Sequence, residues 1–116
     1  MDITPQFPND KNGDVFRQMI RDGDDLSFAR TIDFCHIFSD RKQALAFVEE
    51  IDDCELEVCI SYYMQRHMWQ VIVKRYMIPT YQDVTSFELS MAAKAELHGG
   101  QADGWGCMVI EKKNQK

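Results

Sequence analysis

The chain has 116 residues, 45% hydrophobic and 28% charged, which is the composition of a single globular domain and not of a disordered segment. Its 19 acidic residues against 13 basic ones give a net charge of −6, which argues against a generic nucleic-acid binder. No apolar run of about 18 residues is present to span a membrane, and Met1-Asp2-Ile3-Thr4-Pro5 lacks a basic stretch followed by an apolar one, so the expectation is a cytoplasmic protein without a secretory leader.

Residues 1–13 carry Pro5, Pro8, Asn9, Asp10, Asn12 and Gly13 and read as an extended arm before one domain over 14–111. From Asp14 to Asp22, Val15, Phe16, Met19 and Ile20 share one face of a helix that Gly23 can stop. Residues 28–38 read as a strand, with Ile32, Phe34, His36 and Phe38 on one face and Asp33, Cys35 and Ile37 on the other. Ser39 or Asp40 can cap a following helix to about Ile51. Residues 55–65 alternate cleanly: Leu56, Val58, Ile60, Tyr62 and Met64 against Glu57, Cys59, Ser61 and Tyr63. A turn at Gln65-Arg66-His67 leads to a second alternating run through Trp69, Val71 and Val73, which makes a hairpin. Thr80 with Asp83 resembles a capping box and opens a helix to about His98, ended by Gly99-Gly100. A last strand is expected over 105–111, followed by a polar tail, 112–116. The order is a helix and then β-α-β-β-α-β. That order predicts an α+β, ferredoxin-like sandwich: a four-stranded antiparallel sheet with two helices on one face and an extra N-terminal helix.

The second sheet face would carry Tyr63, Ile72, Tyr76 and Met108 among other apolar residues, more than a wet face should. The N-terminal helix, a protein partner or a small molecule are the three covers open at this point. Glu49, Glu50, Asp52, Asp53, Glu55 and Glu57 form a dense acidic run. It reads either as a solvated helix end and turn or as a docking surface for a basic partner. No metal-ligand spacing is present in that run, and Cys54, Cys59 and His67 miss the common zinc patterns, so no metal and no cofactor are expected. The four cysteines read as reduced thiols. His36, His67 and His98 are far apart, and no serine elbow or cysteine–histidine motif is present, so no enzyme is expected. The RNA-recognition module shares this strand order, but its aromatic signature is missing. Tyr63 and Tyr76 are the residues that could stack bases, and the acidity weighs against direct nucleic-acid binding. Asp103-Gly104-Trp105-Gly106 is the most distinctive word. It suggests close backbone approach and an indole packed in the core with its N–H bonded, with Asp103 as a candidate acceptor.

The words and their order resemble the bacterial ribonuclease E inhibitor family of the regulator of ribonuclease activity B (RraB) type. The resemblance is carried by Phe7-Pro8-Asn9-Asp10-Lys11-Asn12-Gly13-Asp14, Gly23-Asp24-Asp25-Leu26 and Arg30-Thr31-Ile32-Asp33-Phe34. It continues through Trp69-Gln70-Val71-Ile72-Val73, Met77-Ile78-Pro79-Thr80-Tyr81, Gly99-Gly100 and Asp103-Gly104-Trp105-Gly106-Cys107. It implies an acidic, non-catalytic regulatory protein of the bacterial cytoplasm that binds ribonuclease E and lowers its cleavage of RNA; monomer and homodimer are both left open by the sequence. The partner contact it implies lies in a basic, largely disordered half of the nuclease, and Asp103, Gly104, Trp105 and Gly106 look structural. The alternative left by the residues alone is a small-molecule- or peptide-binding domain that uses the open sheet face.

Overall fold

The computed structural model describes residues 7–111, so residues 1–6 of the expected arm and the 112–116 tail lie outside the described residues. The elements are α1 (Lys11–Arg21), β1 (Arg30–Phe38), α2 (Arg41–Glu50), β2 (Glu57–Tyr63), β3 (Met68–Met77), α3 (Tyr81–Leu97) and β4 (Gln101–Cys107). The strands make one antiparallel sheet in the order β2-β3-β1-β4. β3 lies between β1 and β2 and so splits the β1-α2-β2 unit, which is the ferredoxin-like arrangement the element order predicts. Asp10, Asp40 and Thr80 cap the three helices, accepting hydrogen bonds from the backbone N–H groups of Gly13, Lys42 and Asp83.

The core follows from strand alternation. Ile32, Phe34 and Phe38 of β1 and Val71 and Val73 of β3 meet Ala44 and Phe47 of α2 and Val84, Met91 and Ala95 of α3. His36 shares their face, with its ring 5.0 Å from that of Phe47. Phe16 and Met19 of α1 belong to the same core. α1 therefore does not cover the second sheet face. It extends the helix layer, where Phe16 packs on Trp105, ring centroids 5.5 Å apart, and on Tyr81. Asn12 decides this seat, because its amide donates to Thr85 Oγ1 and Glu88 Oε1 on α3, each at 3.0 Å.

α1 begins at Lys11, ahead of the expected Asp14, because Asp10 is its cap. Gly13 then lies against the backbone of Pro8, and a Cβ there would come within 1.9 Å of the Pro8 carbonyl oxygen. β4 runs over 101–107, four residues earlier than the expected 105–111. A bulge explains the shift. Phe34 pairs with Trp105 but His36 pairs with Ala102, so β4 carries an extra residue at this point. Gly104 sits there with φ +98°, a backbone state that costs a side-chain-bearing residue roughly 1–2 kcal/mol. After Cys107 the chain leaves the sheet, and Glu111 forms an isolated bridge with Asp24.

Asp24 and Arg30 are buried, and their side chains pair at 2.7 Å. Arg30 also donates to the carbonyls of Met108, Asp25 and Phe28. The Asp24 carboxylate accepts from the Ile110 N–H. Removing one partner of such a pair strands the other charge. Arg30→Met should therefore cost about 3–5 kcal/mol in urea unfolding, with faster amide exchange over 108–111; unchanged stability would deny the pair this role.

His36 is 1% exposed, and burial holds its imidazole below the ordinary value of 6.5, partly offset by the carbonyls of Val71 and Phe34. The unfolded chain therefore takes up the proton first as pH falls, and stability drops as pH goes below about 6.5. From about pH 7.5 to about pH 5 the Tm of the parent protein should fall more steeply than that of His36→Leu; equal slopes would assign the acid sensitivity to other groups.

Candidate functional site

The acidic run does not form one surface. Glu49 and Glu50 end α2, Asp52, Asp53 and Glu55 occupy the following turn, and Glu57 opens β2; all six are exposed. Asp53 folds the turn by accepting the Glu55 N–H at 2.9 Å. Glu50 is engaged from α3, by His98 Nε2 and, at 3.9 Å, by Lys94 Nζ. His98 thus meets a carboxylate on α2 as well as the end of its own helix. Glu57 lies on the sheet face away from the helices and pairs in register with Lys74. Glu49, Asp52, Asp53 and Glu55 remain, exposed and in no ion pair among the described residues. These four form an uncompensated acidic shoulder between α2 and β2.

The second sheet face is open over most of its area. Tyr76 is 71% and Met108 81% exposed, Tyr63 is exposed, and Ile72 is half-buried. The four do not form one pocket. Tyr76 pairs with Thr31 at one end of β3, Ile72 with Cys35 in the middle, and Tyr63 with Met68 beside the hairpin turn. A hollow of about 650 Å³ does lie on this face, lined by Thr31, Asp33, Cys35, Lys74, Asp103 and Met108 among others, so of the expected four only Met108 borders it. Its charges are already matched within the chain: Lys74 to Asp33 at 3.1 Å and Asp103 to Arg66 at 2.9 Å. Burial, reinforced by Asp33 and Asp103, pushes the Cys35 thiol up, which leaves it a poor nucleophile. The Arg66–Asp103 bridge runs from the β2–β3 turn to β4 and so crosses β3 and β1. It closes the end of the face where Ile37 lies, and Ile37 is 1% exposed instead of lining an open surface.

Asp103-Gly104-Trp105-Gly106 serves this architecture. The Trp105 indole N–H donates to Asn12 Oδ1 at 3.0 Å, not to Asp103. Asp103 reaches outward to Arg66, Gly104 makes the bulge, and Gly106 pairs with Asp33 across the sheet. A Cβ on Gly104 or Gly106 would meet no atom within 4 Å, so neither serves close approach; Gly104 serves its backbone conformation, and nothing in the structure explains Gly106. Asn12, Arg66 and the Asp24–Arg30 pair escaped the pattern reading. Asn12 bonds to residues 73 to 93 positions away and Arg66 to one 37 away, and although Asp24 and Arg30 are six apart no period marks either of them.

The four cysteines are free. Among the described residues no group of three metal-ligating side chains is gathered, and no helix is long and apolar enough to cross a membrane. No curated protein matches the chain. The family model described as "Regulator of ribonuclease activity B" (RraB) matches residues 9–107, which run from the residue before the α1 cap to the last residue of β4. A match that takes in every element of the fold makes the assignment, and the chain belongs to the RraB family of regulators of ribonuclease activity.

Proposed function

We propose that the protein binds ribonuclease E and lowers its cleavage of RNA, acting as a regulatory partner in the bacterial cytoplasm and not as an enzyme. The observation that carries this reading is the family match over 9–107, which supports a protein partner in ribonuclease regulation. The net charge of −6 suits a basic partner. The contact falls to Glu49, Asp52, Asp53 and Glu55, since Glu50 is held by His98 and Lys94 and Glu57 faces Lys74. Exposed charges of this kind act at a distance of about one Debye length, raise the association rate and lose strength in salt. A small-molecule or peptide site on the open face is the second reading, favoured by the hollow at Thr31, Asp33 and Cys35. The pairing of Lys74 with Asp33 there leaves less charge for a ligand.

Titration calorimetry against the C-terminal half of ribonuclease E, at low and physiological salt, tests the proposal. The expected result is binding that weakens with salt, and slower RNA cleavage by the nuclease when the protein is added. Glu49→Gln, Asp52→Asn, Asp53→Asn and Glu55→Gln combined should weaken binding about tenfold or more at low salt, with Glu50→Gln close to neutral. No binding at either salt overturns the proposal, and full affinity in the fourfold variant removes the acidic shoulder from it.

A further inference from the structure

β2 ends the sheet. Among the described residues it pairs with β3 alone, so its outer edge presents a row of N–H and C=O groups without strand partners there. The opposite edge, β4, is blunted by a bulge and by Gly104 and Gly106. β2 has no such protection. Glu57-Val58-Cys59-Ile60-Ser61-Tyr62-Tyr63 contains no glycine, no proline and no lysine, and its pairing with β3 is unbroken for seven residues.

The helix layer stops short of this edge. α2 packs on β1 and β3, and α3 on β1 and β4. The side chains of β2 that point to the helix side are left partly uncovered as a result: Ile60 is 36% and Tyr62 45% exposed. Tyr62 lies edge-on to Trp69, ring centroids 5.1 Å apart, which continues the apolar ledge back to β3. On the other face of the same strand stands Glu57, and just before it come Asp52, Asp53 and Glu55. An unpaired strand edge, an apolar ledge on one side of it and negative charge at its start describe one kind of occupant.

We infer that the outer edge of β2 accepts an extended basic peptide as a fifth strand of the sheet. Backbone hydrogen bonds to β2 supply the attachment. Alternate apolar side chains of the peptide lie over Ile60 and Tyr62, and its basic side chains meet Asp52, Asp53 and Glu55 in the turn that leads into the strand. This builds on the proposed reading of a basic protein partner and adds the manner in which it is held.

The probe is a fluorescent synthetic peptide of about ten residues that alternates lysine with valine or isoleucine. Anisotropy should show binding to the unaltered protein, and amide exchange should slow over residues 57–63. A peptide of the same sequence with alternate backbone nitrogens methylated keeps the charge and loses the strand hydrogen bonds, and should bind about tenfold more weakly or worse. Ile60→Lys, at a position already open to solvent, should weaken binding to a similar degree. Equal binding of the methylated peptide, protection outside 57–63, or no binding up to about millimolar peptide overturns strand addition. Self-association of the protein that protects 57–63 and excludes the peptide also overturns it, by giving the edge to a second copy. The two proposals fail separately. Peptide binding with no ribonuclease E binding removes that nuclease as partner and keeps the edge site. Ribonuclease E binding indifferent to Ile60→Lys keeps the partner and removes the edge.

Discussion

The buried pair of Asp24 and Arg30 is the constraint on which the rest of the structure depends. Two charges withdrawn from water are tolerated when each is paired and its remaining groups are satisfied. Here Arg30 meets Asp24 and three backbone carbonyls, and Asp24 also receives a backbone N–H from Ile110. The pair stands at the first residue of β1, so it fixes where that strand begins. β1 is flanked by β3 and β4, and its register sets theirs. The same pair draws residues 108–111 against the α1–β1 connection, which ties the C-terminal end of the described chain to the loop after α1.

Periodicity carried most of the architecture. The alternation through Val58, Ile60 and Tyr62 and through Trp69, Val71 and Val73 has period two, and the hairpin formed where that pattern puts it. Asp40 and Thr80 were legible as caps because capping is a local matter. β4 was displaced in the reading because a bulge breaks the alternation that locates a strand, and Gly104 hides it behind an ordinary glycine. The seat of α1 was not legible either. Its apolar stripe says that one side is buried but not against what, and the choice is made by Asn12 through bonds to residues 73 and 76 positions away. Side chains that bond across the fold leave no period in the chain.

The acidic run shows the same limit at the candidate site. Six carboxylates within nine residues look like one surface on paper. The fold turns a helix end, a turn and a strand start through that stretch, and sends Glu50 to α3 and Glu57 to the far side of the sheet. What remains is a smaller negative shoulder beside an unprotected strand edge. The association of the two is what the linear reading could not contain, because edge position depends on sheet order, and sheet order depends on the packing of β1 against β3 and β4.

The bond from Asn12 to Trp105 joins residues 93 apart, and that from Asp24 to Ile110 spans 86. During synthesis α1 is made well before the indole it rests on, which follows β1, the hairpin and α3. Phe16 must wait exposed while β1, the hairpin and α3 are laid down, and closing so long a loop adds to the barrier. α1 is therefore made long before the strand that completes its seat. A chain that lacks β4 leaves the apolar stripe of α1 without Trp105 and presents it to any hydrophobic surface nearby.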